Sequence, residues 1–362
     1  MAFADDKTKT TYASTDWHQY GQGRPVYPAS LTDIITAYHG RHDQARWDRL
    51  VDIGAGSGIA STNFIPFFDT VHISDPSPAN EDQARAFLSR WLRQHGLEQQ
   101  RRLEFSQATG EEAYKAAGEQ QADLVICATA AHFMDPDGLA LSIARTLRPG
   151  GTLAVYSYWM PTFPDQPSPR LQDTFIRTFD RLVMQPLEAA QRQEGRDGGR
   201  NDGKGESNPK ASSSSSSSSR WSRLASVCAR RMAGNGVLDS FPLPAELFDE
   251  PTRVYINAGA TTPYRDVWQR FMPTGVEPGG PGAVSPRDTI VRYETGVDAE
   301  AGGWAFSVDR SWLPVFIHTF RELPEEEAPA AYAEWDQVFA EECPGGFARI
   351  QWPVYLVLAR RR

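Results

Sequence analysis

The sequence contains little cysteine and no long apolar run. Its three cysteines, Cys127, Cys228 and Cys343, lie far apart and form no CxxC pair. This spacing argues against a disulfide framework or a zinc site and is typical of a reducing compartment. No apolar run approaches the roughly 20 residues of a membrane helix, and the polar start MAFADDKTKTTYASTDW lacks the apolar core of a signal peptide. We therefore expect a cytoplasmic protein with no membrane partner and no metal.

Basic residues are also fewer than acidic residues. The 362 residues include 37 lysines and arginines against 46 aspartates and glutamates, which gives a formal net charge of −9. This charge repels nucleic acids, so we expect no nucleic-acid partner. Hydrophobic residues make up 40% of the chain, which is ample for a buried core. Whether the protein is a monomer or a homodimer is not decided by the sequence.

Short apolar runs alternate with helical patterns in the first half of the chain. The predicted strands are DRLVDIGAG, DTVHISDPS, LEFSQAT, ADLVICATA and TLAVYSYW. The predicted helices are IASTNFIPFF, PANEDQARAFLSRWLRQHG and PDGLALSIARTLRPGG, the last stopped by the Pro-Gly-Gly. The alternation predicts a parallel sheet that is covered by helices on both faces. Ligands of such sheets bind beyond the carboxyl ends of the strands.

The chain divides into three parts, because the regular alternation of strands and helices fades beyond Trp159. We assign residues 1–45 to an N-terminal segment, helical or, as the resemblance given below implies, a lid; 46–160 to the core; and 161–362 to a C-terminal part of the same domain. The last part contains a predicted helix around EEAPAAYAEWDQVFAEE and a closing strand WPVYLVLARR. Residues from about 191 to 220 include eight consecutive serines and almost no apolar side chains, which predicts a disordered loop. The Pro- and Gly-rich stretch MPTGVEPGGPGAVSPRD is predicted to be irregular as well.

A glycine-rich turn, VDIGAGSGIAS, follows the first predicted strand. Gly54, Gly56 and Gly58 give the pattern G-x-G-x-G. The dinucleotide fingerprint G-x-G-x-x-G would need a small residue where Ile59 stands, and usually has an apolar residue where Asp52 stands. Without a following Lys-Ser/Thr, the turn is no P-loop. A plain tight turn is the alternative.

An acidic residue, Asp75, ends the second predicted strand, 17 residues beyond Gly58. A carboxylate at this place can accept hydrogen bonds from both hydroxyls of a ribose. The alternative is an N-cap, because DPSPANEDQ also has the composition of a helix start. An NAD enzyme would use the same acid, so Asp75 does not distinguish one nucleotide cofactor from another.

The pattern D-x-G-x-G-x-G resembles motif I of the class I S-adenosylmethionine-dependent methyltransferases. The later segments QATGEEAY, DLVICATAAHFMD and LRPGGTLAVY are similar to further motifs of that family, in the same order. The resemblance implies a Rossmann-like doubly wound sheet, mostly parallel with an antiparallel last strand, and S-adenosyl-L-methionine as the cofactor. Thr109 stands where the family frequently has an aspartate. The cofactor-binding positions that the resemblance implies are Asp52, Gly54, Ala55, Gly56, Gly58, Asp75, Thr109, Gly110, Glu111 and Ala128.

Three further segments, WHQYGQGRPVYP, AAHFMD and WPV, resemble the subgroup that contains yeast trans-aconitate methyltransferase and related fungal enzymes. The insertion at 191–220 departs from that pattern. The resemblance suggests a small-molecule acceptor, specifically a carboxylic acid that becomes a methyl ester. It also implies a lid over the cofactor that includes Tyr20 and Arg24, with Tyr27 beside the acceptor.

Catalytic and acceptor residues are less defined. His132 is the one histidine at a predicted strand end; it would act as a base, position the acceptor, or simply line the wall. Trp159 and Trp268 are candidate acceptor contacts, with plain core packing as the alternative. A carboxylate acceptor needs no base because it is ionised at pH 7. Three other functions stay open: an NAD(P)-dependent oxidoreductase, a methyltransferase of a phenol, amine or protein, and a binding protein that keeps the cofactor site without catalysis.

Overall fold

The computed structural model describes residues 21–186, 189, 238–258, 284–320, 323 and 326–362. Its strands are Arg49–Ile53 (β1), Thr70–Ser74 (β2), Arg102–Ser106 (β3), Ala122–Ala128 (β4), Leu147–Tyr158 (β5), Phe248–Ile256 (β6), Thr289–Tyr293 (β7), Ala305–Val308 (β8), Ala348–Gln351 (β9) and Val354–Arg361 (β10). Its α-helices are Ala29–Gly40 (α1), Pro78–His95 (α2), Ala113–Ala117 (α3), Pro136–Thr146 (α4), Arg170–Phe179 (α5), Trp312–His318 (α6) and Ala328–Glu342 (α7).

Eight of these strands form one sheet in the order β3-β2-β1-β4-β5-β10-β6-β7. Strands β1 to β5 are parallel to one another, whereas β10 is antiparallel to both β5 and β6. The predicted Rossmann-like sheet, mostly parallel with an antiparallel last strand, is therefore confirmed. The strand order reverses between β1 and β4, so a ligand crevice is expected beyond the carboxyl ends of these two strands.

The start and end of α2 follow from its capping residues. The Ser77 side chain accepts a hydrogen bond from the amide of Asn80, and Pro78 occupies the first turn, where its missing N–H costs nothing. Gly96 ends the helix in the left-handed conformation with φ of 67°. Apolar residues four apart, such as Ala84 and Leu88, are buried against the sheet. The helix predicted from PANEDQARAFLSRWLRQHG is thus present over nearly its full length.

Two local predictions were wrong. The segment IASTNFIPFF contains a 3-10 turn, Ala60–Asn63, in place of an α-helix. Pro66 has no N–H to donate, and the amides of both Phe64 and Ile65 turn back to the carbonyl of Ser61. The helix predicted from PDGLALSIARTLRPGG ends at Thr146 rather than at the Pro-Gly-Gly. The Leu-Arg-Pro-Gly-Gly segment belongs to β5, which begins directly after α4 and shifts its register against β4 between Ala122 and Leu124.

The C-terminal part completes the sheet and adds a helical layer. Strands β6, β7 and β10 join the main sheet, while β8 and β9 form a separate two-stranded pair. The predicted helix around EEAPAAYAEWDQVFAEE is α7, and the closing strand is β10. The predicted loop at 191–220, Tyr20 and Trp268 all lie outside the described residues. Within the described ranges, no helix combines the length and the apolarity that a bilayer crossing requires.

Candidate functional site

The glycine turn lies at the carboxyl edge of the sheet, directly after β1. The amides of Gly54 and Ala55 both donate to the carbonyl of Ser74 at the end of β2, over 2.8 and 3.1 Å. Gly54, Gly56 and Gly58 have φ values of 69°, 57° and 77°, in the left-handed region that glycine tolerates at little cost. The backbone conformation therefore requires glycine at each of the three positions.

Two of the glycines also allow close packing. A Cβ on Gly54 would lie 2.7 Å from the Cβ of Ala130, which follows β4. A Cβ on Gly58 would lie 2.7 Å from Cδ1 of Leu88 on α2. Gly54 thus lets the segment after β4 approach the turn, and Gly58 lets α2 pack on it. Contact of all three glycines with the cofactor stays a prediction, and the structure adds these packing roles.

Asp75 fastens the glycine turn to the start of α2. Its Oδ2 accepts the amide of Gly56 at 2.9 Å, and its Oδ1 accepts the amide of Ser77 at 2.9 Å and the Asn80 side chain at 3.0 Å. Because Ser77 is the N-cap of α2, Asp75 is not. Burial raises the pKa of Asp75, while the three hydrogen bonds lower it. A carboxylate has about four acceptor positions, so Asp75 keeps capacity for a ribose hydroxyl.

Asp52 is the most unusual group at the site because it is a fully buried carboxyl on a central strand. Its Oδ2 accepts the Ser61 hydroxyl at 2.6 Å, whereas its Oδ1 has no hydrogen-bond partner among the described residues. Burial raises the pKa of Asp52 to about 7, and the charge of Asp75 adds to this effect. A buried acceptor without a donor is costly. The ammonium group of a cofactor would supply that donor, so S-adenosylmethionine fits this position.

The end of β4 has a constrained backbone at Thr129. This β-branched residue has φ of 51°, a conformation that is rare outside glycine. Its amide donates to the carbonyl of Tyr156 at 2.7 Å, and its Oγ1 lies 2.9 Å from the hydroxyl of Tyr27. Thr129 directly follows Ala128, the predicted contact at the end of β4. The two bonds hold this backbone at the edge where the methyl donor is expected.

Tyr27 joins the N-terminal segment to the same edge. Its ring lies 5.4 Å from that of Tyr156 in an edge-to-face arrangement and 6.2 Å from that of Tyr158. Its carbonyl accepts the side chain of Asn63, which belongs to the turn after the glycines. Tyr27 therefore lies at the carboxyl edges of β4 and β5, and its predicted role beside the acceptor stays a prediction.

His132 and Trp159 lie at the same edge. His132 is in a short turn, Ala131–Phe133, after β4; it is buried, and its ring lies 4.1 Å from that of Phe133. Trp159 directly follows β5, is also buried, and donates its amide to the carbonyl of Pro353 at 2.8 Å. The structure brings both residues to the edge of the sheet, but their chemical roles stay predictions.

Arg24 lies against the helical layer. Its Nε donates to the Thr319 hydroxyl at 2.9 Å, and its guanidinium lies 4.1 Å from the ring of Phe320 and 5.0 Å from that of Phe316. Cation–π contacts of this kind hold the N-terminal segment on the end of α6. The predicted contact of Arg24 with the cofactor stays a prediction.

The segment after β3, predicted to bind adenine, packs on the start of α4. Oε1 of Glu111 accepts the amide of Asp135 at 2.7 Å. Gly110 is buried against the Met134 side chain and leaves no room there for a Cβ. Thr109 precedes a short 3-10 turn, and its side chain accepts no capping hydrogen bond from that turn. Glu111 thus joins two loops of the site, and the predicted adenine contacts of Thr109, Gly110 and Glu111 stay predictions.

Several residues of the site are not identified by the motifs. Ser61 and Asn80 hold the two aspartates, and Thr129 holds Tyr27. Tyr156 is fully buried, and its hydroxyl has no hydrogen-bond partner in the described part of the chain. Burial, together with Tyr27 and Asp52, raises the pKa of Tyr156 well above its usual value. Only Asn80 has a signal in the sequence, as a polar residue in the first turn of a predicted helix.

Within the described ranges, no three His, Cys, Asp or Glu side chains form a metal cluster.

Comparison with known proteins identifies a methyltransferase domain in this chain. Residues 51–155, from β1 through most of β5, match the family model described as a methyltransferase domain. The methyltransferase cfoB of Aspergillus candidus is 25% identical over 99% of this chain and 98% of its own length. The methyltransferase tpcM of Aspergillus fumigatus is 27% identical over 96% of this chain and 91% of its own length. Among solved structures, the YcgJ protein of Bacillus subtilis aligns over 92% of this chain and 98% of its own, with 15% identity and a TM-score of 0.39, which is too low to support an argument.

The matched domain covers the strands that carry Asp52, the glycine turn, Asp75 and the β4 edge. The sheet order and the antiparallel β10 agree with the fold that motif I implied. The relatives support the methyltransferase family but not the trans-aconitate subgroup, which stays a prediction. Residues 51–155 therefore form a methyltransferase domain, and the fold, the motifs and these relatives support a class I S-adenosylmethionine-dependent methyltransferase.

Proposed function

We propose that the chain methylates a small organic molecule, with S-adenosyl-L-methionine bound at the glycine turn, and that the acceptor is a carboxylate oxygen. The observation that carries the proposal is the buried Oδ1 of Asp52 beside the turn, which has no hydrogen-bond partner among the residues that the structure describes. Asp52 would hold the cofactor's ammonium group, and Asp75 its ribose hydroxyls. Once bound, the cofactor supplies a methyl group on a positively charged sulfur. Pairing with that ammonium group would offset the free-energy cost of keeping the buried Asp52 ionised.

The contribution of the protein to such a transfer is alignment. Well-oriented reactants can recover about 7–11 kcal/mol of the barrier. The left-handed Thr129 and its bond to Tyr27 hold the β4 edge in one conformation. Buried aromatic rings from Tyr158 and Trp159 would exclude water and orient a flat acceptor beside this edge. The net charge of −9 disfavours nucleic acid as the acceptor and leaves a small molecule as our proposal.

A carboxylate acceptor agrees with the resemblance of the N-terminal segment to the trans-aconitate methyltransferase subgroup. Its methylation requires no proton transfer. The carboxylate is ionised at neutral pH, so His132 would act only as part of the wall or as a hydrogen-bond donor. A phenol would instead need a base, which contributes about 10²–10⁴-fold. Replacement of His132 by Asn distinguishes these roles. For a carboxylate acceptor, the variant should keep most of its turnover and show no new pH dependence between pH 6 and pH 8.

The experiment is a labelling assay with methyl-labelled S-adenosylmethionine and an organic extract of a fungal culture, analysed by mass spectrometry. We expect a labelled small molecule whose methyl group is released as methanol by mild alkali, as for a methyl ester. An alkali-stable product would reject the carboxylate and favour a methyl ether, an amine or a carbon acceptor. A labelled protein and no labelled small molecule would reject a small-molecule acceptor.

A further inference from the structure

Three buried tryptophans lack a hydrogen-bond partner for their indole N–H. The Nε1 atoms of Trp304, Trp312 and Trp352 are enclosed, and none bonds to any other described residue. Trp304 and Trp352 have no exposed surface, and Trp312 is 7% exposed. An indole N–H can donate but cannot accept, and a buried donor without a partner is destabilising. One such group is unremarkable in a large protein, whereas three in one place require an explanation.

The three indoles belong to one cluster, which we call the tryptophan cluster. The rings of Trp312 and Trp352 lie 6.5 Å apart, and those of Trp304 and Trp352 lie 6.5 and 5.2 Å from the ring of Tyr158. The backbone amide of Trp352 donates to the carbonyl of Trp304 at 2.8 Å. Three chain segments therefore bring their indole rings into one cluster.

The tryptophan cluster adjoins the edge where the methyl group is transferred. Tyr158 is the last residue of β5, and its ring lies 6.2 Å from that of Tyr27. Tyr27 in turn bonds Thr129 at the end of β4. Trp352 lies two residues before β10, the strand paired with β5, so it also lies just beyond the carboxyl end of β5. The cluster is thus separated from the β4 edge by two tyrosine rings.

We infer that the tryptophan cluster is the acceptor-binding site and that its indole N–H groups bind carbonyl or carboxylate oxygens of a flat, conjugated acceptor. This inference rests on the proposed function and adds the residues and the substrate class. Side chains that can only donate hydrogen bonds favour a methyl acceptor with many oxygen atoms that accept them. The flanking aromatic rings favour a planar molecule. Because the three nitrogens are enclosed, the site is closed in this structure. Binding must therefore move α6, which carries Trp312, away from Trp352.

A matched control exists in Trp335. This tryptophan is also fully buried and packs among aromatic rings, but its Nε1 donates to the carbonyl of Arg310 at 2.9 Å. Replacement of any of these tryptophans by phenylalanine removes the N–H and part of the ring. Among the hydrogen bonds of the described residues, only Trp335→Phe breaks one.

The experiment compares Trp304→Phe, Trp312→Phe, Trp352→Phe and Trp335→Phe. It measures the melting temperature, the affinity for S-adenosylhomocysteine, and the KM for the acceptor purified from the extract assay. For the three cluster variants we expect the KM to rise about 3- to 10-fold each, as for one lost hydrogen bond. The affinity for S-adenosylhomocysteine should stay within about twofold. Trp335→Phe should leave the KM unchanged and lower the melting temperature by a few degrees more than the others.

Two results would overturn the inference. An unchanged KM in all three cluster variants would show that the indole donors do not contact the acceptor. The melting temperature of these variants could instead fall as much as that of Trp335→Phe. This result would show that their N–H groups have hydrogen-bond partners within the folded protein. The measurement of melting temperatures needs no acceptor, so it tests the inference even if the wild-type protein labels no molecule in the extract. A wild-type protein that labels no molecule would count against the proposed function itself.

Discussion

The amide of Gly56 donates a 2.9 Å hydrogen bond to Oδ2 of Asp75. This bond joins the turn after β1 to the end of β2, and so fixes the two elements that the cofactor would contact. Its donor has a left-handed backbone and its acceptor is a buried carboxylate. The glycine turn and the acid are therefore one structural unit, although they lie 19 residues apart in the chain.

Loss of the charge at Asp75 should weaken cofactor binding. Asp75→Asn keeps an oxygen acceptor for the amide of Gly56, but it turns an NH2 group toward the amide of Ser77 and removes the charge-assisted bonds that we propose for the ribose. Hydrogen bonds to charged groups contribute about 1.5–3 kcal/mol, so the Kd for S-adenosylhomocysteine should rise about 10- to 150-fold. Calorimetry measures the change. Asp137→Asn, which removes an exposed charge from the first turn of α4, is the control and should bind as wild type does.

Cofactor affinity should depend on pH through Asp52. Its pKa is raised to about 7 in the folded protein, and only the ionised form can pair with the cofactor's ammonium. Protonation must therefore oppose binding below this pKa, and the Kd for S-adenosylhomocysteine should rise about tenfold from pH 8 to pH 6. Asp52→Asn should bind more weakly at pH 8 and show a flatter pH profile. A profile for wild type that is as flat as that of the variant would contradict the role of Asp52.

Asp52 should also make the free energy of unfolding depend on pH. The direction of this dependence is opposite to that of a salt-bridged carboxylate. The pKa of Asp52 is near the ordinary value of 3.8 in the unfolded chain and about 7 in the folded protein. Between these values the folded state binds more protons, so the contribution of Asp52 to the free energy of unfolding falls as pH rises from about 4 to 7. Urea unfolding of wild type and Asp52→Asn at pH 5 and pH 8 isolates this contribution. The stability of wild type relative to the variant should be greater at pH 5.

Gly58 should tolerate alanine less well than Gly96 does. Both have positive φ, 77° and 67°, so the backbone strain of alanine is similar. Only at Gly58 would the new Cβ meet a neighbour, Cδ1 of Leu88 at 2.7 Å, since nothing lies within 4 Å at Gly96. We expect Gly58→Ala to lower the free energy of unfolding by about 1–3 kcal/mol more than Gly96→Ala does. Equal losses in chemical denaturation would show that the packing of α2 on the turn does not matter.

The Tyr27 hydroxyl should matter for turnover. Tyr27→Phe removes its bond to Thr129 and keeps the ring contacts with the two strand tyrosines. A matched control is Tyr38→Phe on α1, whose hydroxyl donates to the carbonyl of Glu250 at 2.7 Å, away from the β4 edge. Each variant should lose about 0.5–1.5 kcal/mol of stability. Only Tyr27→Phe should also reduce kcat, and an equal kcat in the two variants would show that the bond is purely structural.

Much of the fold is predictable because local signals agree with the tertiary structure. The alternation of strands and helices, Ser77 and Gly96 as caps, and the terminal strand all act within a few residues of one another. The segment after the glycines was misjudged because its apolar periodicity suggests a helix. The side chain of Ser61, used to hold Asp52, and the missing N–H of Pro66 favour a 3-10 turn instead.

The cofactor side of the site is predictable in position, since Asp52, the glycines and Asp75 follow consecutive strands. The left-handed Thr129 has no signal in the sequence, because neighbouring threonine and alanine residues are ordinary in a strand end. The tryptophan cluster is equally hidden. Trp304, Trp312 and Trp352 lie in three separate segments, and only the paired strands β8 and β9, together with α6, bring them together. Interactions between distant segments were therefore the main part that sequence reasoning missed.

The central claim is that Asp52, the glycine turn and Asp75 hold S-adenosylmethionine. Its most direct test is calorimetric titration of wild type, Gly56→Val and Asp75→Asn with S-adenosylhomocysteine and, separately, with NAD⁺. We predict that wild type binds S-adenosylhomocysteine and not NAD⁺, and that the bulky side chain of Gly56→Val, at a residue with φ of 57°, abolishes the binding while circular dichroism shows a folded protein. Binding of NAD⁺ by wild type, or undiminished binding of S-adenosylhomocysteine by Gly56→Val, would contradict the claim.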